Sequence, residues 1–197
     1  GSPELDESLL PFTQRAASLS PEFTELAQEI TQGATTHYEK VEMVLTYLDR
    51  NYSYTLEQLP SQRVKAGGDP VEGFVFDTKA GHCEYFASAM ALLLREVGVP
   101  TRIVNGYYGG HYNETGDFYT VRQADAHSWV EVHFGDYGWV TFDPTPPEGR
   151  TAGDNAPFWP AMSEAMDALR DAYLVRVIGF NLQDQVDALR SLGFGQQ

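Results

Sequence analysis

The 197 residues of the chain suffice for one domain with its own buried core, and a hydrophobic fraction of 42% is typical of a soluble globular protein. Acidic residues outnumber basic ones, 28 to 13, and the formal charge of −15 disfavours nucleic acid or an anionic membrane surface as a partner. Because Cys83 is the only cysteine, an intramolecular disulfide and a zinc site built from several cysteines are excluded.

Two amphipathic helices are predicted in the first part of the chain. Ser20 and Pro21 match the N-cap and first residue of a helix that Gly33 ends. Thr36 and Glu39 match a capping box at the start of the next helix, whose apolar positions recur at helical spacing. Residues 1–5 resemble a cloning scar and take no part in this prediction.

A third helix is predicted over residues 83–97, with Gly98 as its end, and it begins at the cysteine. Before it, residues 52–56 are expected to form a short extended piece. Residues 57–69, which contain proline and glycines, are expected to form an exposed loop.

Beyond Pro100 the hydrophobic pattern changes from helical to strand-like. Four strands are predicted, at residues 101–108, 118–122, 127–134 and 138–142. Helical patterns return at about 162–176 and 182–192. Helices, then an antiparallel sheet, then helices indicate an α+β fold rather than an alternating doubly wound one.

The position of Cys83 at a helix start fits a nucleophile. Free N–H groups and the helix dipole stabilise an anion there, and the same N–H groups can bind the oxyanion of an acyl-transfer intermediate. The alternative is that Cys83 is a small buried hydrophobe, which is the commoner use of a lone cysteine.

A thiolate nucleophile needs a proton carrier, and His127 is the strongest candidate among five histidines. It begins a predicted strand in which His127, Trp129, Glu131 and His133 share one face. We interpret His133 as an ordinary residue of a half-polar sheet face rather than as the proton carrier. We expect His37 on the surface of a helix and His111 in a turn. His82 is next to Cys83 in the sequence, but its side chain is expected to point away from the cysteine.

Asp143, at the end of the next strand, is the candidate carboxylate that orients the imidazole. If residues 135–137 form the hairpin loop, Phe134 faces Gly138 and Asp143 lies opposite Trp129, on the face that carries His127. A loop of two or four residues would place Asp143 on the other face unless a bulge intervened. The alternation is therefore compatible with a Cys-His-Asp triad.

Four motifs in order give a family resemblance. The motifs surround the candidate nucleophile, the following strand, the histidine and the aspartate: GHCEYFASA (81–89), VPTRIVNGY (99–107), DAHSWVEV (125–132) and GWVTFDPT (138–145). With these motifs the chain resembles the bacterial transglutaminase-like superfamily, in the branch of extracytoplasmic domains of TgpA-type inner-membrane proteins. The segment DPVEGFVF (69–76) fits the same branch.

This resemblance implies a papain-like fold with its nucleophile on a helix packed against an antiparallel sheet. It implies acyl transfer from glutamine side chains of a protein or peptide to an amine acceptor through a thioester, with Cys83, His127 and Asp143 as catalytic residues. Residues 6–56 would be the N-terminal helical part, 57–150 the catalytic core and 151–197 a helical segment packed on that core. Aromatic residues are candidates to line a substrate cleft: Trp129, Tyr107, Tyr85 and Trp139.

Two alternatives remain at this stage: a cysteine peptidase or amidase that acts on peptides or cell-wall peptides, and a non-catalytic binding module on the same fold. No cofactor and no metal are predicted, and no acidic loop with calcium-ligand spacing is present. No run of about 18 apolar residues occurs. We expect this chain to be a monomer, and the native protein to hold it at the periplasmic face of the bacterial inner membrane through flanking transmembrane segments.

Overall fold

The computed structural model describes residues 7–147 and 168–169. The predicted helices at 162–176 and 182–192 fall outside the described residues, apart from the helical pair 168–169. The described α-helices are α1 (Pro21–Ile30), α2 (His37–Asn51), α3 (Gln62–Lys65), α4 (Pro70–Glu72) and α5 (Cys83–Glu96). The described strands are β1 (Ser53–Tyr54), β2 (Ala80–Gly81), β3 (Thr101–Tyr107), β4 (His111–Asn113), β5 (Phe118–Thr120), β6 (Ala126–His133) and β7 (Trp139–Phe142).

Polar N-caps account for where the N-terminal helices begin. Pro21 opens α1 after Ser20, as predicted. At α2 the predicted capping box is confirmed, because the Glu39 N–H donates to Thr36 Oγ1 at 3.2 Å and the Thr36 N–H donates to the Glu39 carboxylate at 3.0 Å. The first bond satisfies a backbone N–H group that has no acceptor within the helix. The second satisfies the N–H group of Thr36, the N-cap residue, and holds its partner Glu39 in place.

The loop predicted over residues 57–69 is wrong at Gln62–Lys65, where α3 forms one helical turn. Ser61 is its N-cap, and its hydroxyl accepts from the Val64 N–H at 3.2 Å. The same hydroxyl donates to the Asp77 carboxylate at 2.6 Å, so a residue distant in sequence holds this cap. A π-helical turn, Gly73–Thr78, follows α4 and leads toward the cysteine.

Helix α5 lies at the centre of the hydrophobic core. It packs against α1, α2, β3 and β6. Seven of its side chains are buried, as are two valines that β6 turns toward it: Phe86, Ala87, Ala89, Met90, Ala91, Leu93, Leu94, Val130 and Val132. Burial of each large apolar side chain contributes about 1.5–3 kcal/mol to folding, so the relative position of α5 and β6 is firmly held.

The main sheet is antiparallel, in the order β3-β6-β7, and together with the helices it confirms the predicted α+β fold class. In the β6–β7 hairpin His133 pairs with Trp139 and Val130 pairs with Phe142. The Phe134 N–H donates to the Gly138 carbonyl at 2.9 Å across a three-residue turn, Gly135–Tyr137. The predicted hairpin loop is therefore confirmed.

A two-stranded parallel pair connects the end of α2 to the segment that precedes α5. Ser53 pairs with Ala80 and Tyr54 with Gly81. Just before this pair Lys79 adopts a left-handed backbone with φ +48°, a conformation that few residues with a Cβ adopt. The short extended piece predicted at 52–56 thus contains a two-residue strand, and its partner ends two residues before Cys83.

Residues 109–125 belong to a second unit and form a small hairpin of their own. Strand β4 pairs with β5 in the register His111↔Thr120 and Asn113↔Phe118. The predicted strand at 118–122 is correct for its first three residues, whereas the turn predicted at His111 is wrong because His111 begins β4. Within the described part of the chain no helix is both long and apolar enough to span a bilayer.

The α2 cap gives a stability prediction. Thr36→Ala removes the hydroxyl that accepts from the Glu39 N–H, and we expect a loss of about 1 kcal/mol in the free energy of unfolding. Urea denaturation followed by circular dichroism measures it. Thr46→Ala, at an exposed position inside the same helix, is the matched control, and we expect it to be neutral or slightly stabilising. Equal effects of the two substitutions would contradict a capping role.

Candidate active site

Cys83 is the first residue of α5, and His82 is its N-cap in an extended conformation. The side chain is partly exposed and is not in a disulfide. The first N–H groups of a helix have no acceptor one turn back, so those of Cys83 and Glu84 can stabilise an anion here, whereas the Tyr85 N–H donates to the His82 carbonyl at 3.0 Å. The structure therefore confirms that Cys83, the candidate nucleophile, lies at the start of a helix.

His127 and Asp143 are in direct contact. His127 Nε2 lies 2.9 Å from Asp143 Oδ2, and the two side chains are only 4% and 18% exposed. The second carboxylate oxygen of Asp143 accepts from the Thr145 N–H at 2.9 Å, which fixes the orientation of the carboxylate. Because Asp143 occupies Nε2, Nδ1 is the ring nitrogen that remains to exchange a proton with a nucleophile.

Two aromatic rings flank the imidazole of His127. Trp129 lies nearly parallel to it, with the ring centroids 6.3 Å apart, and Tyr108 lies at 5.5 Å. Gly106 is paired with His127 in the sheet, and a Cβ there would come within 2.7 Å of the Trp129 ring. The absence of a side chain at Gly106 is therefore what lets the indole lie beside the histidine. Tyr107, a sequence candidate to line a substrate cleft, is 62% exposed.

Tyr85 contributes to a cleft of about 370 Å³ next to the nucleophile. Its ring stacks on Phe74 at 5.5 Å and meets the edge of the His82 ring at 4.9 Å. Gly81 and His82, which immediately precede Cys83, line the same cleft, together with the apolar side chains of Leu59, Pro60, Val64 and Pro70. The predicted cleft-lining role of Tyr85 therefore has a cleft to go with it, one that also contains the two residues immediately before Cys83.

Trp139 packs against neighbouring side chains of the sheet. The Arg102 guanidinium lies 4.3 Å from its ring centroid, and the His133 ring lies 5.1 Å away. Arg102 also pairs with the Glu131 carboxylate at 2.6 Å. These contacts agree with an ordinary place for His133 on the polar face of β6.

Tyr54 is a residue of the site that the sequence did not reveal. Its strand pairs with Gly81, two residues before Cys83. Burial raises the pKa of the Tyr54 phenol, and the charge of a Cys83 thiolate raises this pKa further. No sequence pattern could reveal Tyr54. Residue 54 lies near Cys83 only because the two very short strands β1 and β2 pair.

The structure thus brings His127 and Asp143 together and places Tyr54 and Tyr85 near Cys83. The pairing of Cys83 with His127 stays a prediction, which the packing of α5 on β6 makes geometrically reasonable. Within residues 7–147 no group of three or more His, Cys, Asp or Glu side chains is arranged to hold a metal ion.

Comparison with known proteins gives consistent matches. A family model described as the transglutaminase-like superfamily matches residues 24–144. The chain is 42% identical over 138 residues to the Bacillus subtilis protein named Uncharacterized protein YebA, covering 68% of this chain and 19% of that protein. It is 38% identical over 130 residues to a Pseudomonas aeruginosa Protein-glutamine gamma-glutamyltransferase, covering 64% of this chain and 18% of that protein. The chain therefore spans about a fifth of these relatives.

Solved structures of the periplasmic domain of TgpA from Pseudomonas aeruginosa share the fold. One, bound to ethylmercury, has a TM-score of 0.63 and 35% identity, covering 71% of this chain and 50% of that chain. The other has a TM-score of 0.62 and 34% identity, covering 70% of this chain and 46% of that chain. These similarities confirm the resemblance to TgpA-type domains.

The site geometry predicts that Cys83 is a reactive thiol. We expect iodoacetamide to alkylate it at neutral pH roughly tenfold or more faster than it alkylates free cysteine, because N–H groups at a helix start stabilise a developing anion and because His127 is predicted to take the proton of the thiol. Mass spectrometry of quenched samples measures the rate. His127→Ala should slow alkylation markedly. A thiol that reacts no faster than free cysteine would instead favour a non-catalytic binding module.

Proposed function

The chain belongs to the transglutaminase-like superfamily, and from this membership and the site geometry we propose that it transfers the acyl group of a protein glutamine side chain to a primary amine. Cys83 is the nucleophile, His127 the proton carrier and Asp143 the residue that orients His127. The observation that carries the proposal is the 2.9 Å contact between His127 Nε2 and Asp143 Oδ2, in a chain whose cysteine begins a helix. A binding module has no need of this combination.

In the first half-reaction, the Cys83 thiolate attacks the carbonyl carbon of the glutamine side chain. A C–S bond forms, and the negative charge develops on the carbonyl oxygen, where N–H groups at the start of α5 can stabilise it. The C–N bond then breaks, and the imidazolium of His127 gives its proton to the leaving ammonia. The products of this step are a thioester and free ammonia.

In the second half-reaction, a neutral primary amine attacks the thioester carbon. Its nitrogen forms the new C–N bond and gives a proton to His127, and the C–S bond breaks to restore the thiolate. The product is a substituted amide that links the glutamine residue to the amine. Water in place of the amine would give deamidation of glutamine, or peptide cleavage if the acyl group came from a main-chain amide.

Asp143 contributes through His127 rather than by touching the substrate. A carboxylate at Nε2 fixes the tautomer in which Nδ1 is free to take the proton, and it stabilises the imidazolium that follows. The low exposure of both side chains strengthens this interaction, because water screens it less.

Transfer rather than hydrolysis is supported by the similarity to the Pseudomonas aeruginosa protein-glutamine gamma-glutamyltransferase, at 38% identity. The similarity to a periplasmic domain further supports a location at the periplasmic face of the bacterial inner membrane in the native protein. The reading frame of the full-length gene tests this location, which requires apolar spans of about 20 residues flanking the domain.

Amine incorporation tests the nucleophile. We expect the wild-type protein to attach a fluorescent primary amine to a glutamine-bearing protein, and Cys83→Ala to lower the rate at least about 1,000-fold, because no thioester can form. Gel fluorescence measures incorporation, and circular dichroism checks that the variant is folded. A variant with comparable turnover would exclude Cys83 as the nucleophile. Release of glutamate from glutamine without amine incorporation would instead indicate an amidase.

The contact between Asp143 and His127 predicts a graded loss. Asp143→Ala should reduce the rate severely, yet roughly 10- to 100-fold less than Cys83→Ala does, since it removes orientation and charge support but no reacting group. Asp136→Ala, in the exposed turn of the same hairpin, is the charge-matched control and should leave the rate unchanged. Equal rates for Asp143→Ala and the wild type would rule out the orienting role.

A further inference from the structure

The depression that Tyr85 lines, of about 370 Å³, reaches the residues beside the candidate nucleophile. We call it the Tyr85 cleft. Gly81 and His82 belong to its lining, and they immediately precede Cys83 in the chain. Because two residues of a fully extended chain span about 7 Å, the cleft begins within that distance of the Cys83 backbone. A substrate held at Cys83 can therefore extend into it.

The walls of the Tyr85 cleft are largely apolar. Two of its lining residues, Tyr85 and the buried Phe74, have stacked rings with the centroids 5.5 Å apart. Leu59 and Val64 line the cleft as well, and they are 41% and 42% exposed. An apolar group that covers such surface gains free energy by the hydrophobic effect. The cleft therefore favours an apolar guest.

Charge and size narrow the choice of guest further. Glu57 and Lys65 both line the cleft, and because their charges are opposite they do not select a charged group of either sign. The volume is near the lower limit of the range of about 300–1,000 Å³ that small-molecule sites occupy. One large side chain of a bound peptide suits this space better than a large separate ligand does.

The wall that carries Val64 is fixed to the rest of the domain through Asp77. Asp77 Oδ2 accepts from the Ser61 hydroxyl at 2.6 Å and from the Arg63 N–H at 2.9 Å. A Cβ at Gly73 would come within 2.7 Å of the side chains of both Ser61 and Val64, so α3 packs directly against the π-helical turn. Because the wall is held before a substrate binds, binding costs less conformational entropy.

We propose that the Tyr85 cleft binds an apolar side chain of the acyl donor two residues from the reacting glutamine, with Val64 and Leu59 as the residues that determine this preference. This inference rests on the proposed function. In an extended peptide, side chains two residues apart share a face and lie about 7 Å apart along the chain, which matches the reach from Cys83 to the start of the cleft. A side chain directly beside the glutamine would point to the opposite face.

The experiment uses three donor peptides of equal length that differ only around one glutamine. The first has leucine two residues before and two residues after the glutamine, the second has leucine at the two adjacent positions, and the third has serine at all four. Ammonia release measures the first half-reaction, and incorporation of a fluorescent primary amine measures transfer. We expect a KM for the first peptide roughly tenfold below that for the other two, with similar kcat, because burial of a remote apolar side chain stabilises bound substrate and transition state equally.

Two substitutions in the wall test its role independently. Val64→Ser and Leu59→Ser should each raise KM for the first peptide roughly three- to tenfold and leave KM for the serine peptide unchanged, because each removes apolar surface from the cleft. Val121→Ser, at a valine that is 47% exposed and does not line the cleft, is the matched control and should change neither value. Circular dichroism checks that each variant is folded.

The outcomes separate this inference from the proposed function. If no peptide releases ammonia, the proposed acyl transfer fails and this inference fails with it. Equal KM values for the three peptides, or a preference for the second, would show that the donor site is wrong while the activity stands. A preference for the first peptide that both wall substitutions leave intact would also exclude the Tyr85 cleft. Ammonia release without amine incorporation would contradict transfer, and the KM comparison would still decide the donor site.

Discussion

The register of the β6–β7 hairpin is the constraint on which the candidate site depends. The three-residue turn aligns His133 with Trp139, and continuation of that alignment sets Asp143 opposite Trp129, on the face of His127. A slip of one residue would turn Asp143 toward the face that packs on α5, where it would meet buried apolar side chains. Gly138 has φ +69° and ψ −146°, a conformation that residues with a Cβ rarely adopt. The backbone of one turn thus determines whether the imidazole has a carboxylate partner.

The other half of the site is held by packing. The position of Cys83 is set by α5, whose buried face contacts α1, α2 and β6. Because protein interiors are close-packed, such a helix does not shift gradually within its core. His127 takes its position from β6, which forms the opposite side of the same contact. Cys83 and His127 therefore lie on two rigid elements that share one core. A site built in this way keeps its geometry better than one built on loops.

The parts of this structure that sequence reasoning predicted are those that depend on neighbouring residues. The Thr36 and Glu39 capping box and the hairpin loop at 135–137 are such local features, and both are confirmed. Tyr54 depends instead on a two-residue strand pair between distant segments, and no periodicity can reveal two residues. Tyr108, rather than Tyr107, meets the His127 ring where the chain leaves β3, and strand alternation no longer applies beyond that point.

In the proposed reaction, water and amine would compete for the same thioester, so its outcome would depend on how well the acceptor is held beside that thioester. A bound and oriented acceptor reacts at a high effective concentration, whereas water reacts only from its local supply. Surfaces that orient the acceptor would therefore favour transfer without any change in Cys83, His127 or Asp143. The fold keeps the residues that orient the imidazole apart from the Tyr85 cleft, because His127 lies on β6 and Asp143 directly follows β7, whereas neither of them lines that cleft.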